Sequence, residues 1–185
     1  MKDTSERNNN LLRIIVMGPV GSGKSTQAEL LAKHFNVPHV EMGALLRGLS
    51  NTSQDVRELV DAGKLVPDSL TLELLGKELE KSQYKSGFVI DGVPRTLFQA
   101  HHLPFTPDVI IYLRVRDSEN VKRLLLRARA DDTEEVVKKR LSIYHEQTAP
   151  ILDLYKKTGN LLEVDGEPPI EVISQDILQK LNKFI

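Results

Sequence analysis

The chain has no cysteine, few aromatic residues and almost no net charge: aromatics make up 5% of 185 residues, and the formal charge is −1. Without cysteine there is neither a disulfide framework nor a thiolate metal site. A charge so close to zero gives no field for nonspecific nucleic-acid binding, so any positive patch must come from local clustering of arginines. No apolar run approaches the length that spans a bilayer, and Met1 to Asn10 is polar, without the hydrophobic core of a signal peptide. Internal repeats and low-complexity linkers are missing as well. These absences lead us to expect a flexible tail over 1–10 and a single domain over 11–185, cytoplasmic and monomeric, with no nucleic-acid or membrane partner.

What is present begins with Gly18-Pro19-Val20-Gly21-Ser22-Gly23-Lys24-Ser25-Thr26, which fits the pattern G-x-x-x-x-G-K-[ST] and directly follows the apolar run 11–17. Glycines let the backbone wrap a polyphosphate with its N–H groups turned inward. Lys24 brings a mobile positive charge to the terminal phosphates, and the Ser25 hydroxyl is placed to hold magnesium. A bare Gly-rich turn would not require a lysine and a hydroxyl right after its last glycine.

Short apolar runs alternate with helical patterns along the rest of the chain. Strands are expected at 11–17, 37–40, 87–91, 108–114 and 161–164, and helices at 24–35, 43–62, 68–82, 95–102, 117–128, 133–157 and 168–182. Asp132 with Glu135 reads as a capping box for the helix that follows. A run such as Val109-Ile110-Ile111-Tyr112-Leu113 suits a strand covered on both faces. The expected fold is α/β, a parallel five-stranded sheet with helices on both faces and the ligand beyond the carboxyl ends of its strands.

A second constellation narrows the chemistry. Phe88-Val89-Ile90-Asp91 reads as a buried strand ending in a carboxylate that can hold magnesium through water. Arg95, at the start of the expected next helix, can fork onto a phosphate, and Gln99 lies one turn further on the same face, where an amide can read a purine edge. Arg123 and Arg127 are also one helical turn apart. Arginine stays charged and binds phosphate oxygens in pairs, which suits a phosphoryl transfer that needs alignment and charge neutralisation more than covalent help. No catalytic acid or base is called for, and the five histidines read as structural or surface residues.

In this order and spacing, "GPVGSGKSTQA", "AGKLVPD", "FVIDGVPRTLFQA" and "RLSIYHEQTAPIL" resemble the adenylate kinase family, from about Leu12 to nearly the end. The resemblance implies the P-loop NTPase type of sheet, a helical monophosphate-binding segment near 43–76, a short lid near 127–133, and magnesium-dependent transfer between ATP and AMP. It matches Gly21, Ser22, Gly23, Lys24, Ser25 and Thr26 to the ATP phosphate loop, with Ser25 and Asp91 toward the metal. Arg47 matches the arginine on the AMP phosphate. Met42, Lys64, Leu65, Val66, Gly92, Arg95 and Gln99 fall on the AMP side. Arg123 resembles the arginine packed on the ATP base, and Arg127, Arg129 and Arg140 those that close over the phosphates. Asp165-Gly166-Glu167-Pro168 resembles the turn whose main-chain carbonyl meets the ATP adenine.

Three departures qualify this. Glu41-Met42-Gly43-Ala44 replaces the usual "STGD", removing a hydroxyl and a carboxylate beside the acceptor nucleotide. Ser25 stands where glycine is common. The covering segment between Arg127 and Asp131 is only Ala128-Arg129-Ala130, too short for a cysteine-bound zinc lid. A UMP/CMP kinase of the same fold remains an alternative, as does a nucleotide-binding regulatory protein with weak turnover.

Overall fold

The computed structural model describes residues 12–127 and 133–182, with the side chain of Arg127 excepted. The tail 1–10 and most of the expected lid lie outside the described residues.

Five strands form one parallel sheet: β1 (Leu12–Met17), β2 (His39–Glu41), β3 (Gly87–Asp91), β4 (Val109–Arg114) and β5 (Leu161–Asp165), in the order β2-β3-β1-β4-β5. The apolar run of β1 is continuous because the strand is central and both faces are covered. Alternate side chains go to opposite faces, as the pleat requires. Ile15, Met17, Ile90 and Ile110 enter one core cluster, and Ile14, Val16, Val89 and Ile111 the other.

The first cluster is closed by α2 (Met42–Ser50), α3 (Gln54–Asp61), α4 (Asp68–Leu79) and α8 (Ile151–Thr158). The second is closed by α1 (Lys24–Phe35) and α9 (Ile170–Leu181). A smaller cluster joins Leu124 of α6 (Asp117–Arg127) to Val137 and Leu141 of α7 (Glu134–Ile143), with Val20 of the phosphate loop packed against it.

Four local expectations are corrected. The helix expected over 43–62 breaks into α2 and α3 at Asn51-Thr52-Ser53. There the Thr52 hydroxyl donates to the Leu49 carbonyl at 3.1 Å, the local bonding by which such residues compete with a helix. The helix expected over 133–157 is interrupted. A π-helical turn spans Tyr144–Thr148, Ala149 N–H reaches the Tyr144 carbonyl at 2.8 Å, and Pro150 has no N–H to continue the ladder. Thr133 opens α7, its hydroxyl accepting from Val136 N–H at 3.3 Å, while the Asp132 of the expected capping box lies outside the described residues. Finally, α5 is only Leu97–His101, capped by Thr96, so Arg95 stands before the helix rather than on its face.

The register lines up the functional edge: Asp91 pairs with Val16 on one side and with Glu41 on the other. The carboxyl ends of β1, β2 and β3 therefore open together, where the loop after β1 begins.

Candidate active site

Two clefts open at this edge. Gly21, Ser22, Gly23, Lys24, Ser25 and Thr26 line one of them with Arg123, Glu167 and Pro168. Gly21 and Gly23 take φ of 86° and 84°, the left-handed region that a residue with a side chain rarely adopts. A Cβ at Gly21 would stand 2.7 Å from the Asn120 carbonyl, so glycine is also what lets the loop lie against α6. Ser22 is fully buried, with no hydrogen-bond partner for its hydroxyl among the described residues, and its backbone N–H donates to the Pro19 carbonyl at 3.2 Å, which closes the loop on itself.

Opposite the loop, Arg123 is held at three points. It donates to Glu119 at 2.9 Å and to the carbonyls of Gly166 and Glu167 at 2.8 and 3.0 Å. The turn before α9 and the guanidinium plane are thereby locked together. Arg116 binds Glu167 through its backbone N–H and its guanidinium, at 2.6 to 3.1 Å, and this holds the Glu167 carboxyl down at about 2.

Lys24 and Ser25 line the second cleft as well, so the two meet at the end of the loop. Lys24 Nζ donates to the Pro19 carbonyl at 3.3 Å. Ser25 Oγ donates to Asp91 Oδ1 at 3.0 Å, and His39 Nε2 lies 2.8 Å from the other Asp91 oxygen. Asp91 is 2% exposed. A hydroxyl and a carboxylate side by side form a hard-oxygen pair of the kind magnesium accepts, with phosphates and water supplying most of its shell.

The second cleft is lined by Glu41, Gly43, Arg47, Lys64, Leu65, Val66, Gly92, Arg95, Gln99, Arg140, Tyr144 and Thr148. Burial lowers the Arg95 pKa from its ordinary value; Asp91 opposes the shift, and the neighbouring Arg140 and Arg47 charges add to it. Several positive charges turned toward one space repel each other until an anion arrives. A web of side chains holds Arg95 there. Its N–H donates to Gln99 Oε1 at 2.7 Å, its Nε to the Gly92 carbonyl at 2.8 Å, and its own carbonyl accepts from the Thr148 hydroxyl at 2.8 Å. The Gln99 amide nitrogen donates to Asp68 at 2.8 Å, and the Thr96 hydroxyl donates to the same carboxylate at 2.9 Å. Arg47 donates to Glu41 at 2.7 Å, and Arg140 to the Val60 carbonyl at 3.4 Å.

Of the residues singled out from sequence, the loop, Arg123 and Pro168 thus gather at the first cleft, and Arg47, 64–66, Gly92, Arg95, Gln99 and Arg140 at the second. Met42 is corrected: it is 0% exposed, packs into the core and does not line the cleft. Gln99 is 2% exposed, with both amide atoms engaged by the protein. Arg129 and the side chain of Arg127 lie outside the described residues.

Sequence reasoning missed His39 on Asp91, Asp68 and Thr96 on Gln99, and Thr148 on Arg95. None carried a signal beyond its residue type. Glu41 alone had one, because it begins the stretch that departs from the family pattern.

Comparison with known proteins agrees with this geometry. The family model described as adenylate kinase matches residues 16–160. The adenylate kinase of Corynebacterium urealyticum is 38% identical, the match covering 93% of this chain and 100% of the relative. Adenylate kinase 1 of a Nostoc species is 37% identical over 90% of this chain and 97% of its own length. The adenylate kinase of Leptospira biflexa is also 37% identical, over 91% and 99%.

Proposed function

The chain belongs to the adenylate kinase family, and from that premise we propose that it moves the terminal phosphoryl group of ATP to AMP, reversibly, giving two ADP. The observation that carries this is the junction of two phosphate-seeking clefts at Lys24 and Ser25. ATP lies along the loop, with its base stacked on the face of the Arg123 guanidinium and its edge toward the turn at Pro168. By the family resemblance the Pro168 carbonyl is assigned to adenine, in the turn that Arg123 fastens through the carbonyls of Gly166 and Glu167.

AMP enters the second cleft, its phosphate on Arg47, Arg95 and Arg140 and its base toward Gln99, Gly92 and 64–66. An ionised oxygen of that phosphate attacks the γ-phosphorus. The bond from γ-phosphorus to the β–γ bridging oxygen breaks, and ADP leaves with that electron pair. The attacking oxygen is already charged, so no general base is needed. Lys24 stays with the phosphoryl group as it crosses, while the arginines hold the two nucleotides in line and neutralise the developing charge. Arg127 and Arg129 belong to the same proposed set, carried by the segment near 127–133.

Ser25 and Asp91 fit magnesium, which when bound would draw charge from the phosphate oxygens and orient them. The same reading includes one domain over 11–185, an acceptor-binding segment near 43–76, and a monomer working in the cytoplasm where ATP and AMP are exchanged. No described helix is long and apolar enough to cross a membrane.

The test offers purified protein ATP and magnesium with AMP, CMP, UMP and GMP in turn and measures the nucleoside diphosphate. Product from AMP alone is expected. Product from pyrimidines instead would move the assignment to a UMP/CMP kinase, and none from any acceptor would leave a nucleotide-binding protein.

A further inference from the structure

Glu41 ends β2 and holds the N-cap position of α2, yet its side chain caps no helix N–H. Its Oε1 accepts from Arg47 Nη2 at 2.7 Å instead, and both residues line the acceptor cleft. The backbone is shaped for this pair. A Cβ at Gly43 would stand 3.1 Å from Arg47 Nη1 and 3.6 Å from Glu41 Oε1, so the missing side chain leaves the two room to meet.

The charge of the cleft sharpens the point. Lys24, Arg47, Lys64, Arg95 and Arg140 line it, against the carboxylates of Asp91 and Glu41. Asp91 is committed to Ser25 and His39. Among the described residues that line the cleft, Glu41 is therefore a carboxylate that sits on an arginine assigned to the incoming phosphate.

We propose that Glu41 is a resident anion: it occupies Arg47 until the phosphate of the acceptor displaces it, and so sets the affinity for acceptor from within the chain. This rests on the reading that a nucleoside monophosphate binds at Arg47. The Arg47 and Glu41 side chains are 41% and 31% exposed, so their attraction is screened and exchangeable. A phosphate carries more charge and can fork onto the guanidinium, so it prevails, but against the lost pair and the repulsion of the freed carboxylate. The opposition falls on ground-state binding of the phosphate. It should appear in the acceptor KM and not in kcat, and only for ligands that carry a phosphate.

Glu41→Gln in the full chain tests this. The KM for AMP is expected to fall by up to about fivefold, equivalent to about 1 kcal/mol, with kcat and the KM for ATP held within about twofold. Inorganic phosphate, titrated against the protein without nucleotides and followed by phosphorus NMR, should bind tighter by a similar factor. Competition by adenosine, which has no phosphate, should not change.

An unchanged or raised KM for AMP together with unchanged phosphate affinity overturns the proposal. A fall in kcat with no gain in phosphate affinity would make Glu41 a structural residue and overturn it as well. If the parent forms no ADP from AMP, the proposed function fails, while the phosphate titration still decides the role of Glu41. Should Glu41→Gln not fold, Glu41→Ser installs the residue of the family pattern and carries the same expectations.

Discussion

The donor and acceptor clefts share Lys24 and Ser25, yet they are built from different materials. The donor side is made of backbone: two glycines at positive φ, a helix N-terminus, and a turn whose carbonyls are fastened to Arg123. The acceptor side is made of charged and polar side chains that hold one another across long stretches of chain, Gln99 to Asp68, Thr148 to Arg95, Arg140 to Val60. Backbone donors are in place before the ligand arrives. Side-chain charges must be held there by partners, and each partner is a place where affinity can be tuned.

The sharpest test of the shared centre is Lys24→Ala. We expect kcat to drop by about 10²- to 10³-fold, the usual scale for removing one preorganised electrostatic group, with the circular-dichroism melt unchanged. Normal turnover in the folded variant would break the comparison, since neither cleft would then depend on the point where they meet.

Next in size, Arg95→Ala should divide the two sides. The acceptor KM is expected to rise by roughly 30-fold, about 2 kcal/mol for a charged hydrogen-bonding group, while ATP affinity in direct titration stays within about twofold. Equal loss on both sides would show that the clefts are not separable.

Thr148→Val asks whether the web behind Arg95 matters by itself. It removes the hydroxyl that donates to the Arg95 carbonyl and should raise the acceptor KM by about fivefold, close to 1 kcal/mol, without changing ATP affinity. No change would confine the acceptor site to the groups touching the nucleotide.

The smallest expected effect lies on the donor side. Arg116 holds Glu167 at about 2, below the ordinary 4.5, so the contribution of that carboxylate to stability is whole above the ordinary value and is lost as pH falls toward 2. An NMR titration should find the Glu167 midpoint near 2 in the parent and clearly raised toward 4.5 in Arg116→Ala, which loses the guanidinium but keeps the backbone N–H, with activity at neutral pH little affected. A Glu167 midpoint already near 4.5 in the parent would remove the ion pair from the account of how this turn is held.

Sequence by itself determined the sheet, the phosphate loop and which arginines could serve, because those follow from local rules. An apolar run such as Ile14-Ile15-Val16 suits a buried strand, and Gly21-Ser22-Gly23-Lys24 meets the conformational demands of a phosphate cradle within a few residues. The breaks at Asn51-Thr52-Ser53 and at Tyr144 to Pro150 were within reach of the same rules, through the side-chain bonding of Thr52 and the missing N–H of Pro150. What only the tertiary structure decided is who holds whom. Asp68 and Gln99 are 31 residues apart, and Arg95 and Thr148 are 53 apart. Hydrogen bonds depend on position in space, and residue type states only that a bond is possible. The same limit applied to Met42, which an aligned motif put beside the acceptor and packing put in the core, and to Glu41, whose carboxylate acquired a partner only when α2 carried Arg47 back toward it.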